Sequence, residues 1–575
     1  MARLNDEVQA LLTEYADLLT ITGGDAFRVR SYEKAARAIG GYSGDLAGMD
    51  AKALQSIPGV GKSIAEKIAE YRSSGSFAAL EALRAKIPPG VREMMGVPGL
   101  GPKKALMLHQ DLQISTVAQL RAAAEAGRLH DLSGFGGRTE ENILHGLDLM
   151  SQAATRTDLG TATALAESVV AALEQAPGCL RCTWAGSLRR MRETVGDVDV
   201  LAAAEDSGPL MDAFLALPEV ADVIAHGPTK TSIRTRKGLQ IDLRVVPPDA
   251  FGAALVYFTG SKAHNIKLRT MAVRAGLKLS EYGLFDAGTG EKLVSRTEEE
   301  VYAALGLPWI PPTLREDLGE VEAALADGLP TLVTERDLRG DLHTHTDLTD
   351  GVATLEEMLA VAHARRYAYY AVTDHAPDLV MQRMTDEKML AQREKLHGLA
   401  GRYGRMRLLH GTELNIGPDG DVDWPAEFLA GFDVCVASIH SHFGADRAAQ
   451  TRRLIRACEN PHVHIIGHPS ARMLGRRAPI DVDFDAVFAA CARTGTAMEI
   501  NSSPERMDLG DEQVRRAKAA GVRFSIDSDA HSTVHLERPR FGVGTAQRAW
   551  LGPEDVINTW PWQRLRRFLT KPELR

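Results

Sequence analysis

Two aspartates, Asp197 and Asp199, stand two residues apart in the segment Gly186-Ser-Leu-Arg-Arg190-Met-Arg-Glu-Thr-Val-Gly196-Asp197-Val-Asp199-Val. On an apolar strand that spacing points both carboxylates to one face, about 6–7 Å apart. Such a pair can hold two divalent metals, which lower the pKa of an attacking hydroxyl and neutralise a departing pyrophosphate. A third acid is expected from a neighbouring strand, and Asp242 in Leu239-Gln-Ile-Asp-Leu-Arg244 fits it. Upstream, Gly186-Ser187 opens a turn whose backbone N–H groups and hydroxyl can hold phosphates, with Arg190 as a charged clamp. Two solvent-facing acids on an edge strand would account for the pair alone. They would leave the Gly-Ser turn, the third acid and the basic surroundings unexplained.

A second chemistry is written in histidine. Five of the 18 histidines lie before residue 336 and thirteen after it. His343 and His345, in Asp341-Leu-His-Thr-His345-Thr-Asp-Leu-Thr-Asp350, are spaced to point the same way from a strand end and chelate one metal. Further candidates follow successive apolar runs: Asp374-His375, His410-Gly-Thr-Glu413, His440-Ser-His442, His468-Pro and Asp527-Ser-Asp529-Ala-His531. Gathered at one rim they would hold two or three ions, with Glu413 as the bridge. Zn²⁺ and Mn²⁺ both suit such mixed nitrogen and oxygen donors. Hydrolysis of a phosphate ester by a metal-activated water is the natural reaction. Any one of these histidines could be structural; the set is harder to explain that way. His363, His397, His462, His464 and His535 are read as surface or packing residues. Cys179-x-x-Cys182 lacks a partner pair and is read as two ordinary cysteines.

A third pattern grips rather than reacts. Ile57-Pro-Gly-Val-Gly61, Val97-Pro-Gly-Leu-Gly101 and Leu132-Ser-Gly-Phe-Gly136 each precede a helical stretch. A turn of this form presents backbone N–H groups to a phosphate without reading the base, and glycine lets the phosphate approach. One copy would be a plain helix connection. Three copies, two of them with Lys62 and Lys103 just beyond, predict DNA-backbone binding through Gly59, Gly61, Lys62, Gly99, Gly101 and Lys103.

These groups must be positioned by several domains. A chain of 575 residues with 44% hydrophobic and 25% charged residues corresponds to roughly three to five globular domains. The net charge of −9 excludes a uniformly basic nucleic-acid coat, yet Lys230–Lys278 carries ten Lys/Arg against Asp242 and Asp249. No apolar run reaches the ~20 residues of a membrane span, and the start of the chain has no signal-peptide pattern. The expectation is a cytoplasmic protein, nucleoid-associated when on DNA. Helical periodicity marks the first 150 residues, for example Val8-Leu11-Leu12-Tyr15-Leu18-Leu19. Strands are expected at Val198–Ala203 and Leu239–Val246. After Gly340 they are expected at Tyr369–Val372, Val434–Ser438, Val463–Ile466, Ala497–Ile500 and Arg523–Ile526, alternating with helices. That alternation predicts a barrel with its chemistry at the C-terminal strand ends. An acidic connection, Gly319–Arg339, separates the halves.

Pro58-Gly-Val-Gly-Lys-Ser-Ile-Ala-Glu-Lys67-Ile, with Tyr32 upstream, resembles the helix-hairpin-helix lyase domain of family X DNA polymerases. The resemblance implies that Lys67 is a Schiff-base nucleophile toward a 5′ deoxyribose phosphate, although Ser63 stands where the family has a second lysine. The carboxylate segment resembles the same family's nucleotidyltransferase palm, with Gly186, Ser187, Arg190 and Gly196 around the triphosphate. Tyr257-Phe-Thr-Gly260-Ser-Lys-Ala-His-Asn265-Ile-Lys-Leu-Arg269 resembles its nucleotide-binding segment. By that resemblance Tyr257, Phe258 and Gly260 receive the sugar, and Asn265 and Arg269 meet the minor-groove edge of the new pair. Val195, Gln240 and Lys262 depart from the family's serine, arginine and acid. The histidine set resembles the polymerase-and-histidinol-phosphatase (PHP) domain. That resemblance implies one metal on His343, His345, Glu413 and Asp529, a second on Glu413, His440 and His468, and a third on Asp350, His375 and His531.

The fold expected is multidomain: all-α helix-hairpin-helix domains, an α+β nucleotidyltransferase palm with a small α/β thumb, and a distorted (β/α) barrel. The boundaries expected are 1–85 (lyase-like), 86–155 (helical DNA-binding), 156–247 (palm), 248–318 (nucleotide-selecting), 319–336 (linker) and 337–575 (PHP). The resemblance implies a DNA polymerase filling short gaps in repair, with a PHP 3′–5′ exonuclease that extends to abasic-site or 3′-phosphate cleanup. Its partners would be gapped or nicked DNA and dNTPs, its state a monomer, and its ions two Mg²⁺ or Mn²⁺ at the palm and two to three Mn²⁺ or Zn²⁺ at the barrel. The rivals are a polymerase with a structural PHP domain, and a phosphatase tethered by a non-catalytic DNA-binding front half.

Overall fold

A computed structural model of the chain describes residues 4–571 apart from 43, 45, 58, 98, 99, 131, 133, 134, 136, 154, 155 and 380–383. The front is helical because its apolar residues recur every three or four positions. In the helix Leu4–Ile21, Val8, Leu12, Tyr15, Leu18 and Leu19 all enter one core with Tyr32, Ile39, Ile64 and Ile68. Gly61 and Gly101 are the extended N-cap residues of the helices Lys62–Ser74 and Pro102–Leu112. Gly59, at φ +84°, makes the preceding turn. Gly99 lies outside the described residues.

The next unit is a five-stranded sheet in the order Arg181–Trp184, Asp197–Ala203, Gln240–Val246, Lys230–Thr235, Val220–His226. Its two central strands run parallel and the other neighbours antiparallel. The helix Leu159–Glu174, capped by the Asp158 side chain, buries Leu159, Ala162, Ala166 and Val169 against Val198, Val200 and Ile241. Phe251 and Ala254 cover Leu201 and Ala203. A smaller unit follows, with the antiparallel strands Leu277–Ser280, Gly283–Asp286 and Lys292–Val294 beside the helices Phe251–Thr259, Lys262–Arg274 and Glu298–Ala304. The acidic connection is anchored here. Its helix Glu320–Leu325 packs Val321 and Ala324 against Val301 and Tyr302, and buried Glu320 meets His264 Nδ1 at 2.6 Å.

The last unit is a seven-stranded, all-parallel sheet: Gly340–Asp341, Tyr369–Val372, Arg407–Asn415, Val434–Ser438, Ile465–Ile466, Ala497–Asn501 and Phe524–Asp527. Each strand pairs with its predecessor in sequence, and a parallel bridge from Thr344 to Ala530 brings the last beside the first. The sheet thus nearly closes into a barrel. Both faces are covered, which is why its strands read as unbroken apolar runs. Val463 lies outside its expected strand, which spans only Ile465–Ile466. Among the described residues no helix is long and apolar enough to cross a membrane.

Two candidate catalytic centres

In the strand Asp197–Ala203 the side chains alternate, so Val198 and Val200 enter the core while Asp197 and Asp199 share the opposite face. The parallel register sets Asp199 beside Asp242 and Asp197 beside Gln240. The three acids expected from two strands are therefore neighbours. Their crowding is electrostatically costly: burial, then Asp197 and Asp242, push the Asp199 carboxyl up to about 7. Asp242 is held by the Lys230 ammonium at 2.6 Å and by Gln240 Nε2, which donates at 2.8 Å. Burial opposes its ionisation, but Lys230, Gln240 and Ser232 bring it below the ordinary carboxylate value. A divalent cation would relieve the stress on Asp199, so this donor set fits one.

Gly186 shows why the turn above this face has no side chain. It sits at φ +61°, and a Cβ there would fall 2.2 Å from Asp199 Oδ2. Ser187 follows on the single helical turn Gly186–Arg189, and Gly196 directly precedes the acidic strand. Arg190 donates from Nη1 to the Thr259 carbonyl at 2.6 Å and from Nε to Glu316 at 3.0 Å. Gly260, at φ +68°, would bring a Cβ to 3.3 Å from Arg190 Nη1. The Tyr257 and Phe258 rings meet edge to face at 5.1 Å, and the Arg244 guanidinium lies 4.5 Å from the Phe258 ring centre. Asn265 donates to the Tyr257 carbonyl at 2.7 Å, and Arg269 lines the same cleft. Val195 is fully buried in the sheet core, so the position where the family has a serine is used for packing. Lys230 and the bond from Gln240 are not singled out by the sequence. The basic stretch is the one sequence signal that includes the lysine.

Farther forward, Lys67 Nζ donates to Ser63 Oγ at 3.0 Å and lies 5.7 Å from the Tyr32 ring centre. Among the described residues nothing stands within 4 Å of where a Cβ would lie at Gly61 or Gly101. Lys62 and Lys103 are exposed at the helix starts beside those glycines. A phosphate could reach both turns.

The barrel gathers all nine histidine and carboxylate residues at the C-terminal ends of its strands. Glu413 is central. Its Oε1 faces His440 Nε2 at 3.2 Å and His468 Nε2 at 2.9 Å, and its Oε2 faces His343, His345 and His375 at 3.4, 3.5 and 3.0 Å. Asp529 Oδ1 lies 3.3 Å from His345 Nε2, and Asp350 lies 3.3 Å from His375 and 3.4 Å from His531. Among the described residues three groups could each hold an ion: His343/His345/Asp529, His375/Glu413/His440, and His345/Asp350/His375/His531. His343 Nε2, both His345 ring nitrogens, His375 Nδ1 and Asp350 Oδ1 are buried without a hydrogen-bond partner, as metal donors would be. Burial alone would raise the Glu413 carboxyl, yet His440, His343 and His375 hold it well below the ordinary range.

The supporting residues were not read from the sequence. His343 Nδ1 meets Glu499 at 2.7 Å, His440 Nδ1 meets Asn415 Oδ1 at 2.7 Å, and Asn501 donates to Asp529 Oδ2 at 3.1 Å. Such partners fix ring orientation and tautomer. Four candidates go elsewhere, one of them Asp527, which accepts from the Leu342 amide at 2.9 Å. His410 stacks on Phe432 at 5.1 Å, because its side chain leaves the strand on the side away from the rim. Asp374 accepts from Thr346, Thr349 and Gln392, holding the loop after the first strand. His442 is exposed beside Ser441. His535, read as packing, accepts at Nδ1 from the His531 amide and so supports the rim.

Comparison with known proteins bears on the family of the chain. The DNA polymerase beta thumb model matches residues 254–316. A helix-hairpin-helix domain model matches residues 3–77, a SAM-like helix-hairpin-helix tandem 91–148, and the PHP domain 341–503. The DNA polymerase/3′-5′ exonuclease PolX of Bacillus subtilis is 35% identical over 568 residues, 98% of this chain and 99% of that one. Rat DNA polymerase lambda is 29% identical over 324 residues, 51% of this chain and 53% of that one. A probable phosphatase of Syntrophotalea carbinolica is 31% identical over 230 residues, 38% of this chain and 90% of that one. Fold, centres and matches together define a polymerase-beta-type core joined to a PHP domain. The chain belongs to the bacterial family X DNA polymerases that carry this domain at the C-terminus.

Proposed function

We propose that the chain is a DNA-directed DNA polymerase that fills short gaps in DNA repair, and that its PHP domain is a 3′–5′ exonuclease. The observation that carries the reading is the cross-strand pairing of Asp199 with Asp242, with Asp197 on the same face. Asp197, Asp199 and Asp242 would hold two Mg²⁺ or Mn²⁺ ions. These ions supply ionisation of the primer 3′-hydroxyl and charge neutralisation of the leaving pyrophosphate. The turn at Gly186, Ser187 and Gly196 receives the triphosphate, with Arg190 as its cation. Tyr257 and Phe258 lie under the incoming sugar and leave no room for a 2′-hydroxyl. Asn265 and Arg269 face the minor-groove edge of the new pair, where acceptors are common to all four bases.

In the barrel, His343, His345, Asp350, His375, Glu413, His440, His468, Asp529 and His531 would hold two to three Mn²⁺ or Zn²⁺ ions. Bound there, such ions would activate a water and neutralise charge on the phosphodiester. Glu413 presents one oxygen to each side of the cluster, and Glu499 and Asn415 keep His343 and His440 in place. The glycine turns at Gly59, Gly61, Gly99 and Gly101, with Lys62 and Lys103, hold the DNA backbone on either side of a gap or nick. Lys67, beside Ser63 and Tyr32, is the nucleophile for a 5′ deoxyribose phosphate. The protein acts on DNA as a monomer in the cytoplasm, at the nucleoid.

A one-nucleotide-gapped duplex labelled at the primer 5′ end tests the reading in the presence of Mn²⁺. Extension with dNTPs and shortening without them are expected. Extension alone would make the PHP domain structural, and shortening alone would make the front half a DNA grip.

A further inference from the structure

The turn assigned to the triphosphate is held from outside its own domain. Palm residues 189–193 reach both the small unit and the barrel. Arg189 forks onto Glu298 at 2.7 and 2.8 Å, and Glu193 takes the barrel's Arg472 at 2.6 Å. Met191 fills space against the barrel helix Pro539–Arg548, where a Cβ on Gly544 would fall 2.6 Å from its Cε. Arg548, the last residue of that helix, has a side chain only 4% exposed. Its Nη1 donates to the Arg190 carbonyl at 2.9 Å and to Glu316 Oε1 at 2.8 Å, and its Nε donates to Asp511 at 2.8 Å. Glu316 Oε1 is the same oxygen that accepts from Arg190 Nε. One carboxylate oxygen therefore ties the palm's Arg190 to the barrel's Arg548. The neighbouring Gln547 reinforces the joint, its Oε1 accepting from Thr313 at 3.2 Å and its Nε2 donating to the Val333 carbonyl at 2.8 Å.

We propose that Arg548 is a positioning residue for nucleotide addition. From the PHP domain it fixes Glu316 and the Arg190 backbone, and so aims the Arg190 guanidinium at the triphosphate. Without Arg548, Glu316 would be free to turn wholly onto Arg190 and draw it from the nucleotide. A planar fork spanning Glu316, the Arg190 carbonyl and Asp511 is a task a lysine ammonium cannot perform. The PHP domain is by this route part of the polymerase centre, whatever its own chemistry.

The inference rests on the polymerase reading, and its test separates the two. Full-length protein is assayed for single-nucleotide insertion in a one-nucleotide gap and for exonuclease on the same DNA, with thermal midpoints recorded. Wild-type insertion that Asp242→Asn abolishes upholds the reading; its absence would sink the reading and the inference together. Against that baseline, Arg548→Met is expected to raise the KM for dNTP roughly tenfold, with kcat changed by less than about threefold and exonuclease unchanged. Arg548→Lys should recover little of this. Asp511→Asn, which keeps the arginine but removes the charge of the carboxylate whose Oδ2 meets both its Nε and Nη2, should raise KM by about threefold. In an Arg190→Ala background, Arg548→Met should add less than about twofold. An unchanged KM in Arg548→Met, a fully additive loss in that background, or an equal fall of both activities would overturn the proposal.

Discussion

Glu413 concentrates the chemistry of the barrel because its two oxygens face different histidines, His440 and His468 on one side and His343, His345 and His375 on the other. A carboxylate so placed would hold ions only if the surrounding rings are kept in register, which the bonds from Asn415 and Glu499 to His440 and His343 would do. Asn415→Ala should therefore lower metal affinity by roughly 10–100-fold without changing the fold, read by competitive chelator titration with elemental analysis. Unchanged affinity would make the contact incidental. Chelating residues at the ends of apolar runs offer a wider set in the sequence, with Asp374, His410, His442 and Asp527 among them, and only the resemblance to the PHP domain narrows it to the nine. Asn415, Glu499 and Asn501 were not legible, because a polar residue inside a strand run does not reveal which ring it will meet. Lys230 was hidden for a related reason: one lysine among ten basic residues carries no mark of the carboxylate it faces.

At the scale of elements, the joint between palm and thumb is electrostatic and buried. Glu298 is shared by Arg189 and Arg315 and also accepts from the Trp309 indole at 3.0 Å. Burial alone would raise its pKa, but Arg189 and Arg315 bring it down to about 2 from an ordinary 4.5. Its ionised form thus stabilises the fold fully above pH 4.5, and the contribution is lost as pH falls from there toward 2. The shift corresponds to about 3 kcal/mol, and removing one partner of a buried pair leaves the others uncompensated. Glu298→Gln should lower the thermal midpoint by several degrees at pH 7, with the gap to wild type closing through that window. A gap independent of pH would contradict the assignment. The glycine turns make a different prediction. Lys62→Ala with Lys103→Ala should weaken DNA binding alike for all sequences and reduce the slope of log affinity against log salt by about one per lysine. An unchanged slope would remove both from the backbone contact. Tyr369–Val372 and Val434–Ser438 could be read to the residue, since a strand buried on both faces is a continuous apolar run. Ile465–Ile466 is shorter than its run: the preceding His464 ring accepts from the Cys435 amide and meets the Leu569 carbonyl. Such a tie is invisible to periodicity.

For the whole molecule, the order of units along the chain was readable, but their joints were not. The stretch that looks like a connector sends Glu320 into the thumb core, and the palm loop 189–193 is fastened to the barrel by Arg472, Gly544 and Arg548. Docking of this kind depends on single residues far apart in sequence, and no local pattern announces it. A crossed pair of variants tests whether the two centres work separately. Asp242→Asn and Glu413→Gln are each compared with wild type on one 5′-labelled gapped duplex in Mn²⁺, with and without dNTPs. The account predicts that Asp242→Asn loses extension by at least about a thousandfold and keeps primer shortening, while Glu413→Gln loses shortening and keeps extension. Loss of both activities in either variant would contradict it.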